Sequence, residues 1–183
     1  KELADAIVEF DGDSEAYVAI ITGAGRAFCS GRDLKERADD NAAGIQADAS
    51  ASMTKESPFM WPRTWKPMIA AVNGFALAGG WSIAQMCDLR IASDEAKLGI
   101  SETRWSLLPP FGAILPKQMN LASVLELVLT AQPVTAQRAY DMGFLNKVVP
   151  AGDLMEEAMA MAQQIADNAP LAVQTFKELA YRG

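Results

Sequence analysis

The stretch KPMIAAVNGFALAGGWSIAQMCDLRIAS, residues 66–93, contains the sequence features that decide the fold. Its apolar run Met68 to Val72 is short and contains β-branched residues, and Asn73-Gly74 closes it, which predicts a buried strand that ends in a turn. Ala78-Gly79-Gly80 predicts the start of a helix. Glycine there lets backbone N–H groups approach a ligand closely, and a helix N-terminus favours negative charge.

After this helix, Asp88 to Ala92 predicts a second short strand, and the chain turns through Ser93-Asp94-Glu95 towards a lone acid, Glu102. The predicted unit is therefore strand, glycine turn, helix, strand and acid. A Gly-Gly turn alone is a weak signal for a ligand site, because close packing of a helix on a strand also requires glycine.

Composition indicates one soluble globular domain over residues 1–183. Half of the residues are hydrophobic, which is enough for one sizeable core. The formal charge of −7 argues against a nucleic-acid partner, since phosphates require a basic surface. No apolar run is long enough to span a bilayer, and the first residues do not resemble a secretory signal, so we expect no membrane partner and a location in the cytoplasm or an organelle matrix.

The chain contains no histidine. This excludes Ser-His-Asp and Cys-His catalysis and argues against a zinc enzyme. Cys29 and Cys87 are not spaced as metal ligands, and we expect both to be reduced and without a disulfide. The sequence thus predicts neither a metal site nor a bound cofactor.

A glycine-rich loop, Thr22 to Gly25, follows Tyr17 to Ile21, which we predict to be a strand buried on both faces. A loop of this kind could bind a dinucleotide. The G-x-G-x-x-G spacing fails, however, and no acid follows at the expected distance after a crossover helix. We therefore reject a dinucleotide fold.

Three ordered blocks resemble one known family. AAVNGFALAGG, MCDLRIAS and GISE together resemble the central signature of the crotonase, or enoyl-CoA hydratase/isomerase, superfamily. AFCSGRDLKE, residues 27–36, is similar to its upstream signature, and residues 127–130, 136–139 and 143–149 are similar to its downstream pattern. The resemblance implies an α/β, crotonase-like spiral of ββα turns with C-terminal helices. It also implies an acyl-CoA substrate, with coenzyme A as part of that substrate, and homotrimers or dimers of trimers.

The resemblance also implies an oxyanion hole, in which two backbone N–H groups hold the thioester oxygen of the substrate. The donors would be Arg32 and Gly79, and a CoA-binding edge would run along Arg32, Asp33, Leu34 and Lys35. Preorganised donors stabilise the charge that develops on the oxygen of a thioester enolate more than they stabilise the ground-state carbonyl. These donors serve any reaction that proceeds through such an enolate.

The carboxylates determine which reaction the enolate undergoes. Hydratases of the family use two glutamates that flank a water, and Glu102 lies at the second of those positions while Ser82 lies at the first. A serine hydroxyl needs a partner to take its proton, and Asp88 lies six residues further on, far round the helix from Ser82. One glutamate is enough to move a double bond between the 3,4 and 2,3 positions of an enoyl-CoA. Isomerisation by Glu102 is the leading hypothesis, hydration of a 2-enoyl-CoA is the alternative, and a non-catalytic acyl-CoA-binding relative is the third possibility.

The flanking regions give further expectations. Lys1 to Phe10 predicts a helix, and the β-hairpin region and the final helices of the family are expected to be missing, as in a fragment. Residues 38–66 carry little signal, although Met60 or Trp61 could line an acyl pocket. The C-terminal half predicts four helices and one strand: Leu121 to Thr130, Thr135 to Met142, Asp153 to Asp167 and Pro170 to Tyr181, with the strand at Leu145 to Val149.

Overall fold

The computed structural model of the protein describes residues 2–29, 31 and 64–183. Its helices are α1 (Glu2–Gly12), α2 (Gly79–Met86), α3 (Leu115–Gln118), α4 (Leu121–Thr130), α5 (Ala136–Asp141), α6 (Leu154–Ala166) and α7 (Pro170–Arg182). Its strands are β1 (Ala19–Thr22), β2 (Ala27–Cys29), β3 (Met68–Val72), β4 (Phe75–Leu77), β5 (Leu89–Ser93), β6 (Lys97–Gly99), β7 (Val134–Thr135) and β8 (Lys147–Val149). Short 3-10 helices cover Glu102–Trp105, Pro110–Ile114 and Ala151–Asp153.

The strands form two four-stranded sheets, with orders β1-β3-β5-β8 and β2-β4-β6-β7. Neighbouring strands are parallel except β6 and β7, which are antiparallel. From β1 to β6 the chain enters the two sheets alternately, and α2 follows the pair β3 and β4. This confirms the predicted α/β spiral of ββα turns.

Strand β3 lies at the centre of the core, and each of its five residues is at most 1% exposed. Alternate side chains point to opposite faces of a strand. Met68, Ala70 and Val72 accordingly belong to one apolar cluster, while Ile69 and Ala71 belong to a second cluster. A parallel strand covered on both faces requires a nearly continuous apolar sequence, which explains why this run has no polar residue.

The strand predicted at Tyr17 to Ile21 is confirmed in part, since Ala19 and Ile21 pack against one apolar cluster and Ile20 packs against the other. The strand begins two residues later, at Ala19, and its side chains are only partly buried. Strand β1 is the first strand in the order of its sheet and pairs there with β3. Among the strands that the structure describes, β1 has one neighbour and β3 has two, which leaves part of the surface of β1 open.

The second sheet was not predicted from local pattern. Strands β2, β4 and β6 are three residues each, and sequence reasoning assigned Phe75 to Leu77 to the connection before the helix. The register of the sheet pairs Cys29 with Ala76 and Leu77 with Gly99. Three residues are too few to show a period of two, so these strands form because their partners are in place.

The helices predicted at both ends of the chain are confirmed to within two residues. At α4, the Asn120 side chain accepts a hydrogen bond from the Ala122 N–H at 2.8 Å. At α5, the predicted cap Thr135 accepts one from the Arg138 N–H at 3.1 Å. These caps satisfy backbone donors that the first turn of each helix would otherwise leave without a partner.

Candidate active site

Three parallel strands end at the same edge of the second sheet. Strands β2, β4 and β6 are neighbours, and the chain leaves them at Gly31, Gly79 and Glu102 respectively. The Ala78 N–H donates to the Gly99 carbonyl at 2.9 Å, which holds the start of α2 beside the end of β6. Residues beyond the carboxyl ends of parallel strands commonly form the ligand site of an α/β fold.

Two glycines meet at this edge. A Cβ on Gly31 would lie 3.5 Å from the Gly79 nitrogen and 3.2 Å from the Leu77 carbonyl oxygen, so the loop after β2 packs directly on the start of α2. Gly31 has a φ of 88°, which favours glycine at that position. The structure therefore brings Gly79, a predicted site residue, against the chain that leads to Arg32.

The start of α2 presents backbone N–H groups. The first helical hydrogen bond runs from the Ser82 N–H to the Ala78 carbonyl at 3.1 Å. The N–H groups of residues 79–81 precede it and are the donors that a helix N-terminus offers to an anion. Ala78 has φ 52° and ψ −112°, an uncommon conformation for a residue with a Cβ. This backbone conformation was not predicted from the sequence, because alanine gives no signal for a positive φ.

Glu102 is the first residue of a 3-10 helix and is partly buried. Burial raises the pKa of its carboxyl above the ordinary glutamate value, against smaller lowering contributions from backbone hydrogen bonds at Glu102 and Ser101. Within the part of the chain that the structure describes, its buried Oε2 atom has no hydrogen-bond partner. A carboxyl with a raised pKa and an unused oxygen is suited to exchanging protons with a ligand.

The 3-10 helix that carries Glu102 is fastened to α4. The Thr103 hydroxyl donates to the Val128 carbonyl at 2.7 Å, and the Arg104 guanidinium donates to the Ala131 carbonyl at 3.3 Å. These bonds hold both residues that follow Glu102. The acid is therefore positioned by a rigid element, although it lies outside the regular sheet and helices.

The body of α2 is immobilised by a buried polar chain. The Trp81 indole N–H donates to the Gln85 side chain at 3.1 Å, and Gln85 donates to the Phe111 carbonyl at 3.3 Å. The Trp81 ring also stacks on Phe144, with centroids 3.9 Å apart. Sequence reasoning did not identify these residues, which fix α2 to the segment after Glu102 and to the C-terminal half.

The far end of α2 is held by Arg90. Its guanidinium donates to the carbonyls of Cys87 and Phe144, both at 2.6 Å, and lies 4.9 Å from the centroid of the Phe144 ring. Burial lowers the pKa of Arg90 from its ordinary value. Burial also raises the pKa of the Cys87 thiol, to about 12, so this cysteine is an inert core group.

The Asp88 carboxylate makes contacts that stabilise the fold. Its carboxylate accepts the Met68 N–H at 2.8 Å and the Tyr181 hydroxyl at 3.1 Å, and it forms an ion pair with Lys177 at 2.7 Å. These contacts join β3 and the residue just before β5 to α7. They agree with the exclusion of Asp88 as a second catalytic acid.

Several predicted residues lie outside the described residues. They are Arg32, Asp33, Leu34 and Lys35 of the expected CoA-binding edge, together with Met60 and Trp61. Among the residues that are described, no three His, Cys, Asp or Glu side chains gather where they could hold a metal ion. In the ranges 2–29 and 64–183, no helix is both long enough and apolar enough to cross a membrane.

Comparison with known proteins identifies the class to which this fold and site belong. The family model described as enoyl-CoA hydratase/isomerase matches residues 1–182, and the chain belongs to that family. It is 39% identical over 183 residues to the carnitinyl-CoA dehydratase of Proteus mirabilis (strain HI4320), covering 97% of this chain and 68% of the relative. It is also 38% identical over 186 residues to the short-chain-enoyl-CoA hydratase of Clostridium acetobutylicum, covering 100% of this chain and 70% of the relative.

Solved structures agree with this assignment. The crystal structure of an enoyl-CoA hydratase from Bacillus anthracis superimposes with a TM-score of 0.83 at 36% sequence identity, covering 97% of this chain and 69% of that one. The crotonase-like fold and the membership of a family of acyl-CoA enzymes are thereby confirmed.

Proposed function

We propose that the protein binds an acyl-CoA thioester at the carboxyl edge of β2, β4 and β6 and moves a proton at the carbon next to the thioester. Glu102 would transfer the proton, and the N–H groups of Gly79 and Arg32 would hold the thioester oxygen. The observation that carries this proposal is the Glu102 carboxyl, whose pKa is raised by burial, in the segment just after β6, whose end the hydrogen bond from the Ala78 N–H to the Gly99 carbonyl holds against the start of α2.

The chemistry depends on where charge develops. When a base removes a proton from C2 of a thioester, the electron pair moves to the carbonyl oxygen and forms an enolate. The N–H of Gly79 lies at the positive end of α2, where partial charge and hydrogen bonding both favour an oxyanion. Losing one oxyanion donor typically costs about 3–4 kcal/mol in the barrier. The two donors and Glu102 are thus a sufficient set for enolate formation.

The leading reaction is isomerisation of a 3-enoyl-CoA to a 2-enoyl-CoA. Glu102 would take a proton from C2, the double bond would shift as the dienolate collapses, and the same carboxyl would return the proton to C4. This sequence needs one group that alternates between base and acid, and a raised pKa brings the two protonation states closer in energy at neutral pH. Ser82 occupies the position from which a second acid would act, and its hydroxyl cannot serve as a base without a proton acceptor.

Hydration of a 2-enoyl-CoA, or the reverse dehydration, is the second candidate. The names of the relatives favour it, since they are called a carnitinyl-CoA dehydratase and a short-chain-enoyl-CoA hydratase. In this reaction Glu102 would exchange the proton at C2 while a water is added to or lost from C3. A non-catalytic acyl-CoA-binding protein is the third candidate, favoured by Ser82 alone.

The test is a side-by-side assay with 3-enoyl-CoA and 2-enoyl-CoA that follows the shift of the double bond and the formation of 3-hydroxyacyl-CoA. We expect isomerisation, and we expect Glu102→Gln to reduce it by about 10²- to 10⁴-fold, the usual contribution of a positioned acid-base group. Glu95→Gln is the matched control, because Glu95 is an exposed glutamate in the turn before β6 and should retain full activity.

The possible outcomes separate the three candidates. Hydration that depends on Glu102 would replace the first candidate with the second. Tight binding of acyl-CoA with no turnover of either substrate would favour the non-catalytic protein. Undiminished turnover in Glu102→Gln would refute the assignment of the base.

Two further properties are proposed for the whole protein. The segment Arg32 to Lys35 would line the path of the CoA moiety, and the chain would assemble into homotrimers or dimers of trimers. Analytical ultracentrifugation measures the second property directly. A monomer at micromolar concentration would contradict it.

A further inference from the structure

Gln85 is a buried polar side chain in an apolar region. The residue is 2% exposed, and its helix neighbours Trp81 and Ala84 belong to the main apolar cluster, as does Phe111. Burying an amide is unfavourable unless its polar atoms form hydrogen bonds. An apolar side chain of the same length would fill the space without that requirement, so the amide indicates a role that depends on its hydrogen bonds.

Both ends of the Gln85 amide form a hydrogen bond. The Trp81 indole N–H donates to Oε1 at 3.1 Å, and Nε2 donates to the Phe111 carbonyl at 3.3 Å. The first bond lies within α2, between residues one turn apart, and it fixes the orientation of the amide. The second bond joins α2 to a residue 26 positions later in the sequence. Gln85 therefore connects two separate parts of the fold.

Phe111 ends the segment that carries the candidate acid. The Glu102 carbonyl accepts the Leu107 N–H at 3.0 Å, and Phe111 follows four residues later in a 3-10 helix. At its beginning, this segment is held to α4 by the Thr103 hydroxyl, which donates to a carbonyl of that helix at 2.7 Å. Residues 102–111 are thus fixed to α4 at one end and to α2 at the other.

The same helix supplies the candidate oxyanion donor. Gly79 begins α2, and Gln85 lies six residues later, roughly 9 Å along the helix axis. The Trp81 ring stacks on Phe144 with centroids 3.9 Å apart, which restrains rotation of the helix. Because a short helix is rigid, the contact between Gln85 and Phe111 also places the acid-bearing segment relative to Gly79.

We infer that Gln85 is a positioning residue, which sets the separation between the Glu102 carboxyl and the Gly79 N–H group through its hydrogen bond to the Phe111 backbone. Gln85 is itself buried and acts through these groups. The inference rests on the roles proposed for Glu102 and Gly79, and it holds for isomerisation and hydration alike, since both move a proton at C2. Displacement of a catalytic group by about 1 Å can lower the rate by about 10²-fold.

The first test compares the kinetics of Gln85→Met and Gln85→Glu with those of the wild type. Methionine has a similar length but forms neither hydrogen bond, so we expect kcat to fall by about 10- to 100-fold while KM for the acyl-CoA stays nearly the same. Gln85→Glu is the rescue variant. Burial favours its protonated carboxyl, which can accept from the Trp81 N–H and donate to the Phe111 carbonyl, so kcat at about pH 6 should remain close to that of the wild type.

Thr22→Val is the matched control for the loss of a hydrogen bond. The Thr22 hydroxyl donates to the Ala71 carbonyl at 2.9 Å in the first sheet, and valine has nearly the same shape. We expect Thr22→Val and Gln85→Met both to lower the melting temperature, but only Gln85→Met to lower kcat. The assays are made at a temperature where both variants remain folded.

A second test needs no turnover. It measures the change in melting temperature caused by Glu102→Gln at about pH 8, in the wild-type and the Gln85→Met backgrounds. Burial raises the pKa of Glu102, so removal of its charge should raise the melting temperature of the wild type. Once the segment is released from α2, water reaches the carboxyl, and the gain should be about half as large or smaller.

Wild-type kcat in Gln85→Met would overturn the inference, and so would a loss of kcat that Gln85→Glu does not restore or that Thr22→Val shares. Equal gains from Glu102→Gln in the two backgrounds would also overturn it, because the effects of independent sites add. If the wild type converts neither 3-enoyl-CoA nor 2-enoyl-CoA, the proposed function fails, whereas the unfolding comparison still decides whether Gln85 places Glu102.

Discussion

The packing of Gly80 on strand β2 gives the sharpest prediction of stability. A methyl group at Gly80 would overlap the Cys29 carbonyl oxygen and would lie 2.9 Å from its carbonyl carbon. Non-bonded carbon atoms attract one another only at separations of about 3.5 Å or more. The contact between the new methyl carbon and the Cys29 carbonyl carbon would therefore be about 0.6 Å too short. Strand β2 cannot move away freely, because Cys29 pairs with Ala76 in the neighbouring strand. We therefore expect Gly80→Ala to force the backbone apart.

The expected cost is about 3 kcal/mol, the upper part of the usual range for overpacking, because the obstacle is backbone and cannot change rotamer. For a chain of this length the melting temperature should fall by about 6–12 °C, since 1 kcal/mol corresponds to about 2–4 °C. Gly79→Ala is the control. Its Cβ would meet only the Gly31 Cα at an ordinary distance, and alanine is the better helix former by up to about 1 kcal/mol.

Urea and thermal unfolding of the two variants, followed by circular dichroism, make the comparison. Equal stability of Gly80→Ala and Gly79→Ala would refute the close packing of α2 on β2. Activity provides a second readout, because displacement of Cys29 would also move Gly31 away from Gly79. We expect Gly80→Ala to lose turnover at temperatures where it is still folded.

The remaining predictions concern charge. Because the folded-state pKa of Glu102 is raised, its contribution to stability is present below the unfolded pKa and is lost as pH rises through the folded value. Glu102→Gln should therefore gain melting temperature relative to the wild type at about pH 8 and show no gain at about pH 4, and a constant difference across this range would contradict the shift. Lys177→Met should cost about 3 kcal/mol in urea unfolding, because it leaves the mostly buried Asp88 carboxylate without its cation. The control Glu178→Gln removes the more exposed pair between Glu178 and Arg182 and should cost no more than about 0.5 kcal/mol, and equal costs would refute the structural role of the buried pair.

Sequence reasoning reached the centre of the fold because that region encodes its structure locally. The apolar run at Met68 to Val72 predicts a buried strand and Ala78-Gly79-Gly80 predicts the start of a helix, and β3 and α2 begin where those patterns place them. The expectation that Glu102 is the catalytic acid came from the family resemblance. Its burial and raised pKa became visible only in three dimensions.

The features that sequence reasoning missed depend on distant partners. Asp88 contacts Lys177 and Tyr181, about ninety residues later, and no local pattern signals such a pairing. The positive φ of Ala78 is imposed by its surroundings, because alanine alone does not favour it. Within the described ranges the buried Ser82 hydroxyl has no hydrogen-bond partner, which is likewise a result of packing, since the sequence showed only that an acid was missing there.

The alternation of strands between the two sheets determines the order in which the protein can assemble during synthesis. Strand β1 can pair only after β3 has emerged from the ribosome, which follows the long segment 30–67, whereas only the short β4 and α2 lie between β3 and β5. Closing a longer loop costs more entropy, so the pairings of β1 with β3 and of β5 with β8, which both close long segments, are slower than the pairing of β3 with β5. Until β8 pairs with β5, the nascent chain presents an open parallel edge. That edge is the surface on which a chaperone would act and from which misassembly would begin.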